Sequence, residues 1–428
     1  MRNLVVLGAG TAGTMVVNKL RPKLAPSEWT ITVVDPSEVH YYQPGFLFLP
    51  FGGLRPSDVA KPLRPTLAKG VRLVPVAVDR VDPEARRVHL EDGSELAYDY
   101  LVIATGTTPR PDETPGMAEG MGANVHEYYT YPGANALAAK LAAWPGGRLV
   151  VHITEMPIKC PVAPLEFTFL ADAWFTDRGI RDKVEITYVT PLPGAFTKPI
   201  SSQALGDMLT RKGIALEPDF VVEEIDAEAG TLTAYDGRTL PFDLLVTVPL
   251  NMGADFLGRS GLGDDLNYVP VDKQTLLSTQ YDTIFAIGDA TNIPASKAGS
   301  VAHFAADAFV PNFLAHVQGK PMPEHFDGHA NCFIETGHGK GLLIDFNYDT
   351  EPLTGTYPLP VVGPMSLLKE TRLNHWGKVA FRWIYWHILL PGRVMPVPAH
   401  MSMTGKRLPA PSTASTSTTP PVVPAGLD

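Results

Sequence analysis

A strand running straight into a Gly-x-Gly-x-x-Gly turn, two later apolar strands ending in Thr-Gly and Gly-Asp, and a middle strand followed by no glycine predict an α/β protein. It should contain two Rossmann-like domains, the second degenerate, and a C-terminal membrane-associating region. Composition agrees with that size of fold. The chain has 428 residues, 45% hydrophobic and 19% charged, enough apolar material for sizeable cores and too much for wholesale disorder. Its formal net charge of −10 argues against a nucleic-acid partner. Two cysteines rule out a disulfide-stapled scaffold and any four-cysteine zinc or iron–sulfur site. The twelve histidines show no compact ligand spacing, so no metal is expected.

The opening motif is Asn3-Leu-Val-Val-Leu-Gly8-Ala-Gly10-Thr-Ala-Gly13. Its apolar run reads as a buried strand, Thr14–Leu20 as the helix after the turn, and Trp29–Val34 as a second strand ending in Asp35. That carboxylate stands 22 residues beyond Gly13. A dinucleotide needs this context: Gly8 makes the turn, Gly10 lets backbone approach a pyrophosphate, and Gly13 packs helix on strand. Asp35 can then hold ribose hydroxyls, and the helix N-terminus favours the phosphate charge. The four-residue run Leu4–Leu7 is too short for a signal peptide, and no apolar run is long enough to span a bilayer.

Two further strands follow the same logic. Tyr98–Ile103 ends in Ala104-Thr105-Gly106, and Thr283–Ile287 ends in Gly288-Asp289-Ala290. Together and in this order the motifs resemble the two-dinucleotide-binding-domain flavoproteins. That resemblance implies FAD, held by Gly8, Gly10, Gly13, Asp35, Thr105, Gly106, Gly288 and Asp289, with Asp289 on the ribityl chain. A helix starting near Gly299-Ser300-Val301 would turn its N-terminus towards the flavin. Lys297, just before it, could neutralise charge on the flavin; an ordinary surface lysine is the alternative.

The middle domain breaks the pattern. Arg148–Ile153 is the expected strand, but Thr154–Glu166 holds three prolines and no glycine. Such a loop cannot bring backbone donors onto a pyrophosphate, so the nicotinamide site should be lost. Cys160 sits in its place, and Cys332 lies 172 residues later.

Pro157-x-Lys159-Cys160-Pro-x-Ala-Pro-x-Glu166, Cys332-Phe-x-Glu335 and His375-Trp-Gly-Lys378-Val-Ala-Phe381, with the lost nicotinamide motif, resemble sulfide:quinone oxidoreductases over about residues 1–400. The resemblance implies sulfide oxidation to sulfane sulfur or polysulfide by a Cys160/Cys332 redox pair, with two electrons passing through FAD to a membrane quinone. By the same analogy Cys332 is the flavin-side thiol, Cys160 the sulfur carrier and Glu166 a base; a first-turn helix charge is the plainer reading of Glu166. Lys378 and Phe381 would serve the quinone. Two departures stand out. His126–Thr130 carries no cysteine where many members have a third, so no thioether forms there and FAD should come off on denaturation. The glycine-poor surroundings of Cys160 leave the sulfur acceptor and product length open.

Pro364–Pro396 holds three of the six tryptophans and five Lys/Arg against one acid. A helix of this composition suits the bilayer interface; burial against the flavin domain or a dimer partner is the alternative. The domain boundaries expected are 1–113 and 245–325 for the two pieces of the FAD domain, 114–244 for the degenerate domain with Cys160, 326–408 for the C-terminal region with Cys332, and 409–428 for a disordered tail. The expected location is peripheral and monotopic on an energy-transducing membrane, with homo-oligomerisation open. Competing functions are the flavin subunit of a cytochrome-linked sulfide dehydrogenase, a type 2 NADH dehydrogenase-like enzyme, and a non-enzymatic flavin-bound sulfur carrier or redox sensor.

Overall fold

Strand Arg2–Leu7 is central in a five-stranded parallel sheet ordered Ile284–Ala286, Tyr100–Ile103, Arg2–Leu7, Trp29–Val34, Val71–Val74. Parallel strands covered on both faces need unbroken apolar runs, and Leu4, Val5, Val6 and Leu7 are all buried. Because Arg2–Leu7, Tyr100–Ile103 and Ile284–Ala286 are neighbours, the turns after them meet at one carboxyl edge of the sheet. Gly8, Thr105-Gly106 and Gly288-Asp289 come together there by topology alone. This computed structural model describes residues 1–408 except Val362 and Pro396, so the tail expected at 409–428 lies outside the described residues.

A second parallel sheet is ordered Val125–His126, Leu244–Val248, Gly147–Ile153, Val184–Val189, Ala215–Glu217. The helix after its central strand runs from Ala163 to Asp177, longer than the local pattern of Glu166–Ala173 suggests, because both its faces are covered. One side packs on this sheet and the other on strand Ala330–Gly337 of the C-terminal region.

That C-terminal region is a mixed sheet. Ala330–Gly337 and Lys340–Phe346 form a hairpin, joined by Gly363–Leu367, Thr354–Leu359 and Lys406–Arg407. The helix expected across Pro364–Pro396 is therefore shorter: it spans Arg372–Ile384, and Gly363–Leu367 before it is a strand. Thr371 sets the boundary, its side chain accepting from the Asn374 N–H as an N-cap. A single π-helical turn, Tyr385–Leu389, ends it.

That turn clasps the opening motif. The fully buried Tyr385 hydroxyl lies 2.8 Å from Thr11 Oγ1 and 2.7 Å from His40 Nε2, and His40 Nδ1 is 3.1 Å from the Ala9 carbonyl. A carbonyl can only accept, so His40 Nδ1–H donates to Ala9 and Nε2 accepts from Tyr385. The ring is then neutral, in line with burial lowering its pKa to about 4. His152, fully buried in the second sheet and 2.9 Å from Thr247 Oγ1, is pushed by burial to about 3.

Both rings fold neutral and, once unfolded, titrate near the ordinary histidine value of 6.5. The unfolded chain therefore binds more protons below that pH, so their stabilisation is complete above pH 6.5 and is lost as pH falls towards 4. Each contributes about 1.4 kcal/mol per pH unit across its window. Urea unfolding should show a midpoint that drops steadily from about pH 6.5 to 4.5, and more shallowly for His152→Gln.

Candidate active site

The cradle at the sheet edge is built by exclusion. Gly8 has φ +95°, and a Cβ there would lie 2.5 Å from the Ala104 carbonyl oxygen. A Cβ on Gly13 would stand 1.9 Å from the Gly8 carbonyl oxygen. These two glycines are required by the protein's own packing. Gly10 differs: a Cβ there meets nothing within 4 Å. Its bare backbone faces a cleft that is also lined by Thr105, Gly106, Gly288, Asp289 and Lys297. Thr105 Oγ1 is buried with no hydrogen-bond partner, a polar atom waiting for a ligand. Asp35 braces the turn from behind, its two oxygens accepting from the N–H groups of Ala9 (2.6 Å) and Ser37 (2.8 Å). A ribose hydroxyl would have to share those oxygens.

Lys297 is 6% exposed, so the surface reading is corrected. Its ammonium donates to the carbonyls of Asp289 and Thr291, each at 2.8 Å, and lies 3.8 Å from the Tyr268 ring centroid. Burial lowers its pKa to about 8. Its charge stiffens the Gly288–Thr291 turn. Burial also raises the Asp289 carboxyl, against the pull of Lys297 and Lys159.

The glycine-free loop after Ile153 crosses to this cradle as an arm. The Cys160 N–H donates to the Lys297 carbonyl at 2.5 Å, and the Lys159 N–H to Asn251 Oδ1 at 3.2 Å. Lys159 Nζ reaches Gln43 Oε1 and the Tyr129 carbonyl, each at 3.1 Å. Cys160 itself takes a left-handed backbone, φ +48°, which its own carbonyl helps fix by accepting from Tyr129 Oη and the Ala163 N–H. This places Cys160 on the cleft wall.

One turn on, Glu166 is fully buried, so it is more than a first-turn helix charge. Its Oε1 accepts from Lys378 Nζ and from the Glu335 N–H, both at 2.8 Å, while Oε2 is buried without a partner. Lys378 Nζ also donates to the Phe333 carbonyl at 2.9 Å, beside Cys332. Burial lifts the Glu166 carboxyl above its usual range, although Lys378 and the Glu335 N–H oppose it. Burial works against the Lys378 ammonium too, but Glu166 and Cys160 outweigh it and hold the lysine charged. Both cysteines are free thiols. Burial pushes Cys332 up to about 12, with Lys378 pulling it down and Glu166 adding to the rise. Cys160 is raised further, by burial first and the Glu166 charge second. Lys378 lines the cleft, and Phe381 packs one turn beyond it against Tyr42, centroids 6.5 Å apart.

The pyridine nucleotide-disulphide oxidoreductase family matches residues 2–152. A mitochondrial sulfide:quinone oxidoreductase of Dictyostelium discoideum is 30% identical over 397 residues, covering 91% of this chain and 86% of the relative. The chain belongs to the sulfide:quinone oxidoreductase family. A Mus musculus mitochondrial sulfide:quinone oxidoreductase is 26% identical over 401 residues, covering 91% of this chain and 86% of the relative. The fold matches the crystal structure of the Aquifex aeolicus sulfide:quinone oxidoreductase with a TM-score of 0.78 at 22% identity, over 92% of this chain and 93% of that one.

As a family member the chain is an FAD-dependent oxidoreductase, and the cradle fits FAD. The open face at Gly10 and the orphaned Thr105 hydroxyl are what such a group would fill. Sequence reading did not single out the Glu335–His375 contact (2.9 Å) or the Tyr385 clasp. A charge in the apolar strand Ala330–Gly337 was the available signal for Glu335, since buried acids are rare unless paired. Nothing local marks Tyr385.

The two kinds of glycine should separate by experiment. Gly13→Ala forces a backbone clash and should cost about 1–3 kcal/mol, lowering the melting temperature of the FAD-free protein. Gly10→Ala should leave that melt unchanged while weakening FAD binding, read by fluorescence titration of the apoprotein.

Proposed function

We propose that this chain is a sulfide:quinone oxidoreductase in which Cys160 and Cys332 form the sulfur-handling pair and Glu166 and Lys378 manage charge and protons beside them. The observation that carries the reading is that Cys160, Glu166 and Lys378 share one cleft with the FAD cradle, on an arm where a nicotinamide-binding turn would otherwise stand. FAD, when bound, supplies two-electron redox chemistry between a thiol pair and an organic acceptor.

The electrostatics argue for how sulfur enters. Both thiols are held well above the range in which they would ionise at neutral pH, so neither is a resting nucleophile. The oxidised pair is then the electrophile and HS⁻ the nucleophile. A new S–S bond forms to one cysteine, the Cys160–Cys332 bond breaks, and one persulfide and one thiolate result. Lys378 balances the departing thiolate, and the free Oε2 of Glu166 takes the remaining proton of sulfide. Overall, HS⁻, quinone and one proton become sulfane sulfur and quinol.

The quinone side rests on the C-terminal helix. Leu373, Trp376, Val379 and Trp383 are 53, 63, 46 and 60% exposed at helical spacing, an apolar stripe with Arg372 nearby. No helix among the described residues is long and apolar enough to cross a membrane. The stripe suits insertion into one leaflet, with Lys378 and Phe381 between lipid and cleft and a peripheral, monotopic attachment.

Sulfide added anaerobically to the yellow holoenzyme should bleach it, a short-chain benzoquinone should restore the colour, and NADH should do nothing. Bleaching by NADH and not by sulfide would sink the proposal. Cys160→Ser and Cys332→Ser should each abolish sulfide-dependent quinone reduction, and Glu166→Gln should slow it by about a hundredfold or more.

Trp376→Ser/Trp383→Ser should lower co-sedimentation with anionic vesicles by at least about tenfold, since burying one large apolar side chain contributes about 1.5–3 kcal/mol. Unchanged co-sedimentation would remove the helix from the membrane contact.

A further inference from the structure

We infer that Glu335 and His375 form a proton inlet that feeds the Lys378–Glu166 pair from the first turn of the C-terminal helix. The inference rests on the sulfide:quinone reading and goes one step deeper into it. HS⁻ carries two electrons and one proton, whereas quinol takes up two of each. One proton per turnover must therefore come from water, and the groups beside the cleft are deeply buried.

The route is spelled out by contacts. Glu335 is 2% exposed, and its carboxylate oxygens lie 3.0 and 2.9 Å from His375 Nδ1. The His375 side chain is 24% exposed, so this pair reaches from the interior to solvent. On the inner side the Glu335 N–H is bonded to Glu166 Oε1, the atom that also holds Lys378. His375 and Lys378 are three residues apart on one helix and therefore on one face. Glu335 faces Glu166 from helix Ala163–Asp177 and both His375 and Lys378 from the C-terminal helix. Burial raises its carboxyl, which favours a carboxylate that can pick up a proton in passing. Lys378 and Glu335 form no ion pair, so this last step of the inlet requires a change of lysine rotamer or one bridging water.

The transfer balances as follows. Lys378 gives a proton towards the cleft and is left as an amine. Glu335, protonated by His375 Nδ1–H, returns one to it. His375 regains its proton from water at the surface. A purely structural Glu–His pair would hold the hairpin to the helix without limiting any proton-dependent rate.

The test uses holoenzyme already reduced with sulfide, mixed with a short-chain benzoquinone in a stopped-flow instrument. Return of the yellow colour should slow by about ten- to a hundredfold in His375→Ala and His375→Gln, the scale of a lost proton donor. Imidazole in the buffer should restore most of that rate. Glu335→Gln should be slowed and stay slow with imidazole, because the missing group is interior. Wild-type rates in both His375 variants, or slow rates indifferent to imidazole, would overturn the inlet. Wild-type enzyme that sulfide does not bleach overturns the functional reading itself, which keeps the two failures apart.

Discussion

The buried contact between Lys378 and Glu166 joins three parts of the fold at one point. Glu166 comes from helix Ala163–Asp177, Lys378 from the C-terminal helix, and the Glu335 N–H and Phe333 carbonyl from the strand that carries Cys332. In a low-dielectric interior each charge is tolerable only because the other is there; removing one partner of such a pair typically costs ~3–5 kcal/mol. The site depends on it in a second way. The same ammonium eases ionisation of both thiols while the same carboxylate opposes it. Burial decides that both thiols rest protonated, and the pair adjusts that balance from both sides.

The middle domain shows how one loop can tie two sheets together. Its central strand and following helix keep the parallel α/β arrangement. What changes is the connecting loop. Without glycine it cannot wrap a pyrophosphate, and it extends instead to the neighbouring domain, anchored by Lys159 on Gln43 and by Cys160 on the Lys297 backbone. The buried Lys297 thus works through its carbonyl and its ammonium at once, one fixing Cys160 and the other the turn that carries Asp289. The Tyr385 clasp ties the C-terminal helix to the same glycine turn through Thr11 and His40. The cofactor cradle is thus held from two directions, by the Cys160 arm through Lys297 and by the C-terminal helix through Tyr385.

Local chemistry in the chain was enough to place the first cradle. A strand, a glycine turn, a helix and an acid at fixed spacing leave little conformational choice, and Gly8 and Gly13 are where that choice is narrowest. The Gly299 helix start and the strand Arg148–Ile153 were equally legible, because β-branched runs and turn residues act within a few positions. The C-terminal helix was legible in composition but not in extent. Its limits come from the Thr371 cap and from strand pairing of Gly363–Leu367, which periodicity does not encode.

Residue chemistry and spacing along the chain thus determined the dinucleotide cradle, the missing second turn and the two cysteine segments. Tertiary structure alone decided that Glu166 meets Lys378 across 212 positions, that Glu335 answers to His375, and that Lys297 is buried. The reason is one of range. Backbone conformation is chosen by neighbours a few residues apart, whereas the partner of a buried charge is chosen by whichever donor the completed packing leaves within hydrogen-bond distance. A sequence names the charges that must find partners; only the folded core settles which ones they find.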